Sequence, residues 1–262
     1  MIRGISVSVA FIERNFALIR RYLGWEIVFI SYSVANALAI SFIGVRFGQE
    51  MVLYLVVGAM IWGFLSLLFH EVSESVAWER WEGTIEYTFM APIPRIVHLL
   101  GTASFAVCYG VLRSILLLAI ISLAFGLIIP FKNLLIVCLI LFSSGLSFIG
   151  MGLIAAVLPL LSPEKGAQAT HIFEAVLLLV SGVYYEVDVL PSVLQFLSRF
   201  SPATYTIRAL RAVILKGVGL SELWPVIVML LILGIIMIPV GHFVFSLGEN
   251  YARKTGRLKR GG

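Results

Sequence analysis

Six long apolar runs, near residues 24–45, 51–70, 99–125, 134–161, 168–185 and 223–247, divide the chain almost from end to end. A helix needs roughly 20 apolar residues to cross the hydrocarbon of a bilayer, so each run predicts one transmembrane helix. The links at 46–50, 126–133 and 162–167 are short. The stretches 71–98 and 186–222 are long and polar, and each needs a structure of its own. No internal repeat or low-complexity segment breaks the pattern.

Ahead of the first run, Ile5, Val9, Ile12, Phe16, Ile19 and Leu23 recur every three or four residues. Arg3, Glu13, Arg14, Arg20 and Arg21 mostly avoid that stripe. Such spacing predicts an amphipathic helix over 1–23 lying in the membrane interface, its basic residues near anionic headgroups. The expected fold is all-α and integral to the membrane: one transmembrane domain over 1–262. It comprises an interfacial helix, six transmembrane helices over 24–247 and a basic tail over 248–262.

Composition agrees. The chain is 60% hydrophobic and 13% charged, with a mean hydropathy of +1.04, whereas soluble domains are about a quarter charged. The first apolar run starts near Gly24, too far in and too long for a cleaved signal peptide. Cys108 and Cys138 both fall inside apolar runs, which argues against a disulfide framework.

Lysine and arginine set the orientation. With both termini inside, twelve fall in inner segments and six in outer ones, which the positive-inside rule favours. The expected location is the cell membrane, multi-pass, with cytoplasmic termini. Four of the outer six cluster as Arg199, Arg208, Arg211 and Lys216 in one segment. The net charge of +5 comes from residues flanking apolar spans, so it does not argue for nucleic acid.

The segment WERWEGTIEYTFMAPIPR, residues 78–95, stands out between the second and third runs. At about 100° per residue, Trp78, Trp81, Ile85 and Phe89 share one helical face. Glu79, Glu82 and Glu86 form a stripe beside them, and Pro92 and Pro94 are expected to stop the helix. An aromatic ridge flanked by carboxylates suits docking into a groove that carries arginines. An interfacial loop with tryptophan anchors is the other reading of the same residues.

WEGTIEYTFMAPIPR, followed by LLGT at 99–102, resembles the signature of the membrane subunits of type 2 ABC (ATP-binding cassette) exporters. SPATYTIRALR at 201–211 resembles that family's element before its last span. The order of parts is similar along essentially the whole chain. The resemblance implies that residues 78–90 are a coupling helix seated on an ATPase subunit, with Glu82, Gly83, Thr84 and Glu86 matching the motif. It also implies short re-entrant helices in the outer leaflet before span 6. Locally, Pro191, Pro202, Gly217 and Gly219 punctuate helical stretches 192–200 and 203–216. Within the second, Pro202, Tyr205, Arg208 and Arg211 are the candidate residues, and the two arginines, three apart, are expected to face the headgroups together.

No G-x-x-x-x-G-K-[ST] loop is present, so the chain is expected to hydrolyse no ATP and to bind no cofactor, with ATP and Mg²⁺ on a partner subunit. HEVSE at 70–74 lacks the second histidine of a zinc-protease helix. His70, His98, His171 and His242 fall near predicted span ends, and scattered interfacial histidines without a metal are expected. Arg113 and Glu174 are ionisable residues inside apolar runs, which marks them as functional candidates. Their depths, roughly 21 Å and 9 Å at the helical rise, differ too much for a pair. Arg113 is expected to reach toward Glu186 or Asp188.

The expected protein is a permease subunit of an ATP-driven exporter, not an enzyme. Its expected partners are two copies of an ABC ATPase, a second permease subunit and membrane lipid. Glycine and serine in SSGLSFIGMG at 143–152, with many phenylalanines, suit an amphipathic drug or lipid. A polysaccharide or glycolipid is the alternative cargo. The alternative classes are an ATP-independent carrier and a membrane scaffold. No inverted repeat with matching broken helices favours the carrier.

Overall fold

The computed structural model describes residues 2–84, 87, 90, 95–162 and 165–256. Helix makes up 89% of the structure and no strand occurs among the described residues, which settles the all-α class. The helices are α1 (Ile2–Arg21), α2 (Leu23–Gly44), α3 (Gln49–Glu82), α4 (Arg95–Phe125), α5 (Phe131–Ala155), α6 (Val157–Leu161), α7 (Gly166–Ser181), α8 (Ser192–Ser198), α9 (Pro202–Lys216) and α10 (Leu220–Lys254).

Five helical stretches are long and apolar enough to cross a membrane: Leu23–Phe47, Gln49–Glu82, Arg95–Phe125, Phe131–Leu161 and Leu220–Lys254. The chain is a multi-pass membrane protein. The run expected to give the fifth of six spans forms α7, which has 16 residues. At 1.5 Å per residue that is about 24 Å, short of the roughly 30 Å hydrocarbon thickness. Gly182 ends α7 with φ 69, a left-handed turn that glycine enters without a Cβ clash.

The central helix is α3. Val56, Val57, Ile61, Leu68, Phe69 and Val72 are fully buried along it. Phe64 meets Phe148 of α5 at 6.0 Å between ring centroids. The buried share of the apolar window is 61% for α3 but 17% for the α2 stretch and 22% for α10. The last two therefore offer outward faces to lipid or to another chain.

Helices α5 and α10 pack backbone against backbone. A Cβ placed on Gly150 would lie 2.3 Å from the Met237 carbonyl oxygen, and one on Gly241 would lie 2.3 Å from that of Gly150. Ser147 Oγ donates to the Leu230 carbonyl at 2.9 Å. Without a hydrophobic drive between helices in lipid, small residues permit the close approach that makes dispersion effective. The small residues of SSGLSFIGMG, expected to suit a cargo path, thus include Ser147 and Gly150 in a helix seam.

Helix α1 lies along α4. Ser8 Oγ donates to the Val97 carbonyl at 3.0 Å, and Phe16 packs edge-on against Phe105 at 5.0 Å. Asn15 is buried, while Val9 of the expected apolar stripe is 44% exposed. The face turned to protein is rotated from the purely apolar one.

Candidate functional site

The region between α3 and α4 holds the segment that the sequence singles out. Helix α3 runs 34 residues, or about 51 Å at the helical rise, so it outreaches the hydrocarbon by several turns. Its last turns carry Trp78 and Trp81, 56% and 67% exposed, packed edge-to-face at 6.1 Å. Two large aromatics are thus exposed at a polar helix end, with Glu82 exposed beside them.

Glu82–Gly83–Thr84 is a helix stop. Gly83 sits at φ 73. Its N–H donates to the Arg80 carbonyl at 3.3 Å, and the Thr84 N–H donates to the Glu79 carbonyl at 2.9 Å. These two bonds make a Schellman cap, which satisfies carbonyls that the helix end would leave bare. The expected rod continuing through residues 78–90 to Pro92 is therefore interrupted at Gly83, because a left-handed residue cannot continue a right-handed helix. Ile85, Glu86, Phe89, Pro92 and Pro94 lie outside the described residues.

Glu79 does not share the exposed stripe expected of it. Arg95 Nη2 lies 2.8 Å from Glu79 Oε2, and His98 Nδ1 lies 3.4 Å from Oε1. The side chains of Arg95 and His98 are 6% and 7% exposed, and that of Glu79 is 16%. This pair fastens the end of α3 to the start of α4. Arg80, also buried, donates to the Leu160 carbonyl of α6. Between α1, α3 and α4 lies a cleft of about 560 Å³ whose lining includes Glu71, Glu74, Glu79 and Glu82, with Arg14 opposite.

At the other end of the molecule, Pro202 occupies the first turn of α9, where its missing N–H costs nothing. Tyr205 Oη donates to the Arg199 carbonyl at 2.7 Å. Arg211 donates to the carbonyls of Gly182 and Val183 at 3.0 and 2.6 Å, and its guanidinium lies 3.4 Å from the Tyr54 ring centroid. Arg208 is exposed. The expectation that both arginines face the headgroups together is thus corrected. Arg211 turns inward because the end of α7 leaves carbonyls that a planar, multi-donor cation can satisfy.

The family model for the ABC-2 type transporter matches residues 9–215. The chain belongs to that family. Comparison with curated proteins gives no match. Membership makes this chain a membrane transport domain rather than a nucleotide-binding one, and it implies an ABC ATPase as partner.

Within this ABC-2 domain Arg113 and Glu174 meet separate partners, as their depths require, but Arg113 does not reach the residues expected of it. Arg113 donates to the Phe29 carbonyl at 2.9 Å and to Ser33 Oγ, not to Glu186 or Asp188. One turn earlier, Tyr109 Oη donates to Glu26 Oε2. These bonds form a polar ladder between α2 and α4. Glu174 is 3% exposed and meets His70 of α3 and His171 of α7. Two of the four histidines expected to be scattered are therefore neighbours, with ring centroids 4.9 Å apart.

Arg80 and Arg95 are residues that sequence reasoning did not single out, and it placed His98 only among scattered interfacial histidines. One signal existed for Arg95. A cation in the first turn opposes the helix dipole, so its presence there calls for a specific anionic partner.

Proposed function

We propose that this chain is the permease subunit of an ATP-driven exporter, dimerising with a second permease subunit and energised by two ATPase subunits on the cytoplasmic side. Its cargo is an amphipathic drug or a lipid-like molecule. The observation that carries the reading is the exposed Trp78–Trp81 pair on a helix that outreaches the hydrocarbon and stops at the Gly83 cap. A contact made there acts directly on α3, whose apolar window is 61% buried in the bundle. ATP-driven movement of the ATPase would be delivered along one continuous rod.

In this reading both termini are cytoplasmic, α1 lies in the interface, and α7 with the turn after it makes the fifth of six crossings. Helices α8 and α9 re-enter the outer leaflet. Arg211 supports that last point. Irregular backbone at membrane depth is tolerated only where protein or water satisfies it, and Arg211 supplies donors to residues 182 and 183.

The test is ATP-dependent accumulation of a fluorescent lipid or drug in inverted vesicles carrying this chain and its ATPase. Accumulation that needs ATP, both subunits and Trp81 supports the reading. Equal uptake without ATP would favour the carrier.

A further inference from the structure

Glu174 is held by more chemistry than an isolated intramembrane charge needs. Ser66 and His70 lie one turn apart on α3, and His171 and Glu174 are three apart on α7, so each pair shares a face. Glu174 Oε1 lies 3.3 Å from His70 Nδ1. Its Oε2 lies 3.6 Å from His171 Nδ1 and accepts from Ser66 Oγ at 3.2 Å. Although buried, Oε1 has no hydrogen-bond donor of acceptable geometry. One ligand atom from each of His70, His171 and Glu174 falls within 4.8 Å of the others.

We propose that His70, His171 and Glu174 bind a divalent transition-metal ion of the zinc class, bridging α3 to α7. Zinc–nitrogen and zinc–oxygen bonds of about 2.0–2.2 Å in a tetrahedron place ligand atoms roughly 3.3–3.5 Å apart. The two histidine–carboxylate separations, 3.3 Å to Oε1 and 3.6 Å to Oε2, lie close to that edge, so small side-chain rotations bring both rings and the carboxylate onto one ion. Two imidazoles and a carboxylate suit zinc, cobalt or nickel, whereas calcium and magnesium take oxygen ligands. One ion satisfies both rings and the orphaned Oε1 at once. An ion pair with a single histidine would leave the second ring unexplained.

The fourth position falls to water, and His171, with its side chain 58% exposed, gives the entry path. His70 Nδ1 also lies 3.0 Å from the Ser66 carbonyl. That oxygen keeps its helical partner, the His70 N–H, when the ring nitrogen turns to a metal. Binding then releases a proton from the nitrogen. This inference does not depend on the transport reading, since it asks only whether the ion binds.

The experiment uses the full-length chain without a histidine tag, stripped with a chelator in detergent and titrated with Co²⁺ by visible absorption. Saturation at one ion per chain, with the intense bands of four-coordinate cobalt and displacement by Zn²⁺, is the expected result. Glu174→Gln, His70→Ala and His171→Ala each weaken binding at least about tenfold. His242→Ala leaves it unchanged, because His242 lies on α10 beside Ser246. If the buried variants fail to fold, His171→Ala decides, since that side chain is mostly exposed. No saturable binding, six-coordinate spectra only, or His171→Ala binding as tightly as the parent would overturn the proposal.

Discussion

Arg95 reaches back across the α3–α4 connection to Glu79, with Nη2 and Oε2 2.8 Å apart. Sixteen positions separate the two residues in sequence, and their pairing closes the segment that carries the family signature into a loop of fixed ends. Removing the carboxylate from a largely buried pair costs up to about 3–5 kcal/mol. Glu79→Ala is therefore expected to lower the thermal midpoint in detergent sharply. Glu82→Ala, at an exposed position, changes stability by about 0–1 kcal/mol.

Glu82 and the tryptophans should separate coupling from folding. Trp78→Ala and Trp81→Ala are expected to leave expression and melting nearly unchanged, yet to weaken ATPase association by about 2 kcal/mol each if they are contact anchors. Glu82→Lys should exceed Glu82→Ala, since repulsion replaces lost attraction. Copurification of the ATPase, followed by vesicle transport, reads both. Wild-type copurification by the double tryptophan variant would remove α3 as the coupling element.

Gly83→Ala places a Cβ on a residue at φ 73, costing about 1–2 kcal/mol. Asparagine visits that conformation more readily. Gly83→Asn should thus retain more ATPase copurification and transport than Gly83→Ala. An equal loss in both would mean that the side chain, not the turn, does the damage.

Arg211→Met withdraws donors from two carbonyls at the end of α7, each charged hydrogen bond being worth about 1.5–3 kcal/mol. Arg211→Lys keeps the charge but not the planar fork that serves both oxygens. Both variants should melt earlier than the parent, with lysine only partly restoring it. Arg208→Met, altering an exposed residue, should melt like the parent.

Glycines along the helices should divide by what surrounds them. A Cβ on Gly63 meets nothing within 4 Å, so Gly63→Ala is expected to stabilise by up to about 1 kcal/mol through helix propensity. Gly241→Ala forces a contact of 2.3 Å with backbone and should cost at least about 1–3 kcal/mol. Thermal melting of the two variants side by side checks the contrast.

The apolar runs were legible because lipid demands length and hydropathy, and five long helices stand where five of them predict. The ends were less legible. The second run reads as stopping near residue 70, yet α3 continues to Glu82 because nothing before Gly83 breaks a helix. The fifth run reads past Gly182, where the chain turns instead. Partners of charged residues could not be read, since depth along one helix does not say which helix lies beside it. Arg113 found α2, and Glu79 found the far end of its own loop. Small residues carry a similar ambiguity, because the same glycines that would widen a path also let two helices touch.

Gly150 and Gly241 constrain how the sequence can drift. A side chain at Gly241 is blocked by the backbone of Gly150, and one at Gly150 is blocked by the backbone of Met237. Shrinking the opposing residue gives no relief, because the obstacle is main chain that every residue carries. Paired compensation, the usual route by which a packed contact changes, is closed there. Any lineage that loses either glycine must first reset the spacing of α5 and α10 along their whole length.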